Sequence, residues 1–280
     1  MKKTIVSLLD IITNSKLFWP LMRPIVKFGR ILSGMRTLKA EKYRLALIGK
    51  TMFQDLTVQN GPFKGMIYPS FDSFGSSIVS KLIGSYEKEL WGIAEWVKSQ
   101  KYSEIIDIGC AEGYYAVGFA LKTEGTKMYA FDTSPVARKL CASMAQINEV
   151  SDKVNIKSEC TPELLANFTF ASKGLIICDC EGYEKTLFNK VNLDNMSKCD
   201  LIIETHDILD ISISTYLKEL FRNTHDVESI MSVDDVQKAL TYDFEITRNM
   251  SLSERKELFA ENRGGAMEWL ICKAKATKNH

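Results

Sequence analysis

Short apolar runs predict strands near residues 104–108, 127–131, 153–158, 174–179 and 200–204. The stretches between them read as helices: from Tyr114 onward, Pro135 to Asn148, Pro162 to Phe168, and Tyr183 to Asn189. Two of these starts are well marked. Ser134-Pro135 and Thr161-Pro162 each set a capping hydroxyl before a proline at the first helical position. Strand–helix alternation of this kind predicts an α/β fold, a parallel sheet covered on both faces with its ligand at the carboxyl ends of the strands.

The flanks of this core follow other patterns. "LTVQNGPFKGMIYP" gives two short β-like runs around Asn60-Gly61, a hairpin signal. "YEKELWGIAEWVKSQ" repeats apolar residues at Leu90, Ile93, Ala94 and Val97, which is helical spacing. In the tail, "STYLKELF" reads as helix, "YDFEITRN" as strand, and "SLSERKELFAEN" as a helix opened by Ser251 with Glu254 three residues on. "AMEWLICKAK" reads as the final strand. Two closing strands joined by a short excursion suggest an antiparallel partner at one edge of the sheet. The expected organisation is a basic helical arm over residues 1–50, a hairpin and linker over 51–83, and the main domain over 84–280.

Charge changes the picture only at the amino-terminal end. The net charge is +1, but residues 1–50 hold eleven Lys/Arg and two acids, about +9, which leaves about −8 for the rest. Asp10 interrupts the first apolar stretch and no small-residue cleavage site follows, so the start does not read as a signal peptide. No segment offers ~18 uninterrupted apolar residues to span a bilayer. Two readings of the arm stay open: a helical arm packed on its own domain, or a basic amphipathic surface resting on an anionic membrane or a phosphate-rich partner. The seven cysteines are scattered and lack zinc spacing, and reduced thiols with a cytoplasmic location are the expectation.

The candidate chemistry begins at "EIIDIGCAEGYYAVGFA", where Asp107 precedes a loop with small residues at Gly109, Ala111 and Gly113. Gly109 permits the sharp turn, Ala111 lets backbone approach a ligand, and Gly113 allows the next helix to pack closely. A dinucleotide fingerprint would bring a helix amino-terminus onto pyrophosphate. An acid just ahead of the loop instead suits a cationic or zwitterionic moiety, such as the methionine part of S-adenosylmethionine. Asp132, nineteen residues after Gly113 and beside Thr133, ends the next strand and can accept both ribose hydroxyls.

Two further clusters follow. "DCEGYE" supplies Asp179, Glu181, Gly182 and Glu184 at the fourth strand tip, and "CDLIIETHD" supplies Glu204, His206 and Asp207 at the fifth. The D-x-E-G-x-E run, with the D-x-G-x-x-x-G-Y-Y loop before it and E-x-H after it, resembles the FkbM family of class I S-adenosylmethionine-dependent methyltransferases. The resemblance covers roughly residues 84–275. Cys110-Ala111 stands where the family usually has Ala-Asn, and Phe131-Asp132 where Phe-Glu is commoner. The resemblance implies a Rossmann-like seven-stranded class I methyltransferase sheet with an antiparallel last strand. It also implies S-adenosyl-L-methionine held by Asp107, Gly109, Cys110, Ala111, Gly113, Asp132 and Thr133. Cys160 and Thr161 would flank the adenine, and Glu87 of "GSYEKEL" would help close the site.

Methyl transfer to a hydroxyl requires alignment of the acceptor and removal of its proton. His206 or Asp179 is expected as the base, with Glu181 beside them. Alternatively, the carboxylates of Asp179 and Glu204 could hold Mg2+ and acidify the hydroxyl directly. Glu181 and Glu184 could also simply charge a helix amino-terminus. The expected function is O-methylation of a sugar, glycolipid or small natural product. One rival is a nucleic-acid methyltransferase, against which the Asp-Cys-Glu-Gly sequence counts because it lacks an aromatic for stacking a flipped base. The other is a non-catalytic cofactor-binding or scaffold protein.

Overall fold

The computed structural model describes residues 2–53, 55–261 and 263–276. The chain divides into two compact units, one ending at Met52 and the other beginning at Phe53. The first contains two helices, α1 (Lys2–Asn14) and α2 (Phe18–Met52).

The second unit is built on seven strands: β1 (Glu104–Ile108), β2 (Lys127–Phe131), β3 (Val154–Lys157), β4 (Gly174–Cys178), β5 (Cys199–Thr205), β6 (His225–Met231) and β7 (Glu268–Ala274). Their order across the sheet is β3-β2-β1-β4-β5-β7-β6. The first five strands run parallel, and β7 is antiparallel to both β5 and β6. β1, β4 and β5 are buried along their whole length, as expected of strands covered on both faces. The order reverses between β1 and β4, and a crevice opens at the carboxyl end of such a reversal.

The predicted helix starts hold. Ser134 accepts from the Ala137 N–H and Thr161 from the Leu164 N–H, each with proline at the first turn. Ser251 and Glu254 form the reciprocal capping box of helix Leu252–Phe259.

Two tail expectations are corrected. "YDFEITRN" is no strand: Glu245–Thr247 is a single 3-10 turn. Its alternating aromatics are buried against other rings rather than across a sheet, with Tyr242 and Phe244 packing on Phe259. The strand that accompanies β7 is instead β6. As an edge strand it has one open side and tolerates Asp226 and Glu228, so its sequence carries little apolar signal.

The hairpin signal survives in reduced form, as one antiparallel bridge between Thr57 and Ile67. Phe63 from its loop is fully buried, edge-on to Tyr114 and Phe119 of helix Tyr114–Lys122. Gly118 leaves the room for that ring, since a Cβ there would lie 2.7 Å from it. Residues 53–83 thereby supply part of the second unit's core.

Candidate active site

The tips of β1, β2, β4 and β5 surround a cleft of about 670 Å3. Its two sides are built differently.

Backbone shapes the side at β1 and β2. Gly109 has φ +81°, and a Cβ placed there would sit 1.6 Å from the carbonyl oxygen of Asp179. Only glycine permits β4 to close so tightly over the loop. Ala111 also has a left-handed φ of +49°. Its N–H donates to Asp132 Oδ2 at 3.0 Å, while Ser134 N–H donates to Oδ1 at 2.8 Å. Asp132 therefore ties the glycine-rich loop to the tip of β2, lines the cleft, and retains acceptor capacity on each oxygen. Gly113 turns away from the cleft; a Cβ there would meet Cys141 Sγ at 2.9 Å.

Asp107 is buried, lines the cleft, and leaves its Oδ2 without a partner. Burial, aided by the charges of Asp179 and Asp132, pushes its carboxyl up to about 7. An unpaired buried carboxylate is costly unless a cation joins it. Cys110 and Cys160 also line the cleft, and burial pushes the Cys160 thiol up to about 12. Beneath the loop, fully buried Lys81 pairs with Glu112, which also accepts from Ser73 and the Phe74 N–H at 3.0 Å each.

Side chains shape the β4–β5 side. His206 is 3% exposed. Its Nδ1 lies 2.6 Å from Glu184 Oε1, and Gly182 N–H donates to the same oxygen at 3.1 Å. The Nε2 of His206 faces Asp179 at 3.4 Å, Glu181 at 3.5 Å and Glu204 at 3.8 Å. Burial alone would lower the imidazole pKa. The hydrogen bond to Glu184 and the charges of Asp179 and Glu184 outweigh it and raise the pKa above its ordinary value. The turn that delivers Glu181 is tight, with left-handed φ at Glu181 (+52°) and Gly182 (+97°).

Arg263 crosses the far wall among three carboxylates. It pairs with Glu204, with Glu87 at 2.6 Å and with Glu261 at 2.9 Å. Glu87 also accepts from Tyr115 O–H and is held in a left-handed conformation. Burial and the charge of Asp179 push Glu204 upward against the pull of Arg263.

The expected cluster of His206, Asp179, Glu181 and Glu204 is therefore brought together at one edge of the cleft. Four expectations are revised, the first being Gly113, which packs against Cys141 and does not line the cleft. Thr161 does not line the cleft, because its hydroxyl caps helix Pro162–Asn167; Ser158 and Glu159 line it there instead. Glu87 stands behind the wall, holding Arg263 and Tyr115, which do line it. The Asp179–Glu204 pair does not fit Mg2+, because the Arg263 guanidinium already occupies Glu204. Among the described residues, the group whose donor atoms lie close enough for a cation, within 4.8 Å, is Asp179, Glu181 and His206, without Glu204.

Sequence reasoning underrated Glu184, which stands in the first turn of helix Glu184–Leu187 as expected but is also fully buried against His206. Arg263 and Glu261 escaped it altogether. The adjacent "RGG" was the only hint.

No protein-family model matches the sequence, and no curated protein does. Among solved structures, the chain is similar to a precorrin-6y C5,15-methyltransferase from Geobacter metallireducens. The identity is 13% and the TM-score 0.45, over 66% of this chain and 89% of that one. An O-methyltransferase from Bacillus cereus in complex with SAH matches at 13% identity and TM-score 0.43, over 64% and 78%. A precorrin-8w decarboxylase from Methanobacterium thermoautotrophicum matches at 15% and 0.45, over 66% and 89%. Identities this low carry no substrate from those proteins to this chain. Strand order and the reversed seventh strand define a Rossmann-like α/β sheet with its cleft at the strand tips.

Proposed function

We propose that this protein is an S-adenosylmethionine-dependent methyltransferase that methylates a hydroxyl oxygen of a sugar, glycolipid or small natural product. The observation that carries the reading is the pairing, across one cleft, of an orphaned acid with an oriented imidazole. Asp107 Oδ2 lacks a partner on one side, and the Nε2 of His206 is presented on the other. An ammonium would satisfy Asp107, and the spare lone pairs of Asp132 suit two ribose hydroxyls. Cys160, Ser158 and Glu159 then border the position of an adenine. The cofactor supplies a methyl group already activated by its sulfonium.

The chain's own task is to align the acceptor and remove its proton. A hydrogen bond from Nδ1–H to Glu184 leaves Nε2 as the free lone pair, which fits a general base. Asp179 and Glu181 flank that atom and favour the imidazolium formed once the proton has moved. Arg263, fixed by three carboxylates, bounds the far wall. Beside the acidic turn, Ile208 and Leu209 are exposed, with Leu209 packed over Gly182 and Ile208 over Gly264. This apolar lip favours an acceptor with a greasy portion next to its hydroxyl.

The test is transfer of labelled methyl from S-adenosylmethionine to a panel of glycolipids, free sugars, phenols and RNA. The reading expects the label in a methyl ether. Label confined to RNA bases, or no cofactor binding at all, would contradict it.

A further inference from the structure

We propose that the first unit, residues 2–52, is an amphipathic anchor that lies flat on an anionic lipid bilayer. Phe18, Leu21, Ile25, Phe28, Leu32 and Met35 of α2 recur at alternating spacings of three and four residues, which stacks them in one stripe. Their exposure runs from 50% at Leu32 and Met35 to 69% at Leu21, an unusual display for so many large apolar side chains. Arg23, Lys27 and Arg30 fall on the opposite side at 100° per residue, and all three are exposed. Trp19, Met22 and Val26 form a third face, half-buried between the other two.

Charge selects the occupant of the stripe. From Ile11 to Ala40 the chain has six basic residues and no acidic one. Heptad-like spacing would also suit a seam with a second copy of the helix. That pairing, however, would bring two strongly positive arms together with no carboxylates to answer them. Anionic headgroups neutralise the same charge, while the apolar stripe enters the boundary of the acyl chains. Nucleic acid would answer the charge but leave the stripe in water. No helix among the described residues is long and apolar enough to cross a membrane. With 35 residues, α2 would extend ~52 Å along the surface. Arg36 and Lys39, where the stripe ends, can extend their charged heads to the headgroups.

The test is co-sedimentation of the full-length protein with phosphatidylcholine vesicles, with and without about 30% phosphatidylserine. The wild type should pellet with the anionic vesicles and be released by salt. Both Leu21→Glu/Phe28→Glu and Arg23→Glu/Lys27→Glu/Arg30→Glu should lower the partition constant by more than about tenfold. Circular dichroism and affinity for S-adenosylhomocysteine should be unchanged in both variants, since none of these residues borders the cleft. Equal binding to neutral and anionic vesicles, or retention of binding by either variant, would overturn the proposal. So would a solution dimer that Leu21→Glu/Phe28→Glu dissolves without any vesicle binding, or tight binding to an RNA oligonucleotide alone.

Discussion

The two sides of the cleft solve the problem of precision in opposite ways. At β1 and β2, position is set by main chain. Gly109 exists because the Asp179 carbonyl, just past β4, lies where a Cβ would be, and Asp132 ties the loop to the tip of β2 through the Ala111 and Ser134 N–H groups. At β4 and β5, position is set by charge. Glu184 orients His206, and Glu87, Glu204 and Glu261 hold Arg263. A backbone-defined site tolerates almost no change in shape but asks little of residues far away. A charge-defined site depends on partners drawn from across the chain, and each loss leaves a buried charge unanswered. The first arrangement suits a ligand of constant shape, the second a proton that must move.

Breaking the backbone side should have the largest effect. Gly109→Ala forces a left-handed alanine against the Asp179 carbonyl, and affinity for S-adenosylhomocysteine should fall by more than about a hundredfold in titration calorimetry. A loss below tenfold would mean that the loop is not set by that contact.

On the charged side, His206→Ala should reduce turnover by about 10²–10⁴-fold while cofactor affinity changes less than about threefold. Because His206 acts unprotonated and its pKa is raised, turnover should climb as pH rises through that pKa. Glu184→Gln removes the hydrogen-bonded carboxylate that raises it, so the acidic limb should shift to lower pH with a lower plateau. An unmoved limb would remove Glu184 from its orienting role.

Asp132→Ala sharpens the contrast from the other direction. It should weaken the cofactor about ten- to a hundredfold, and should leave the turnover of bound substrate less affected. The smallest effect is expected at Thr161→Ala. Loss of the cap should cost about 1 kcal/mol of stability in chemical denaturation, with cofactor affinity unaltered. A selective loss of affinity would return Thr161 to the adenine site.

The same contrast explains what could be read in advance. Backbone demands leave local marks, so the small residues at 109, 111 and 113, the strand-tip acids and the capping Ser134 were visible as short motifs. Networks leave few: Glu261 stands two residues from Arg263, but Glu204 and Glu87 meet it across 59 and 176 positions. Glu184 was discounted because an acid at a helix start is ordinary, whereas burial against His206 is a tertiary fact. Thr161 was overread for the converse reason, since one hydroxyl can cap a helix or face a ligand and spacing alone does not choose. "YDFEITRN" misled because aromatics alternating along a chain can pack on other rings as well as on a sheet.

The most direct measurement is calorimetric titration of the wild-type protein with S-adenosylhomocysteine across a pH series. An ammonium seated on Asp107 must find that carboxyl ionised, and in the free protein it is held up to about 7. Affinity should therefore rise with pH, approaching about tenfold per unit well below that value and levelling off above it, with protons released on binding. Asp107→Asn should flatten the dependence and lower the plateau. Binding that is indifferent to pH over this range, or a slope that survives in Asp107→Asn, would contradict the placement of the cofactor in this cleft.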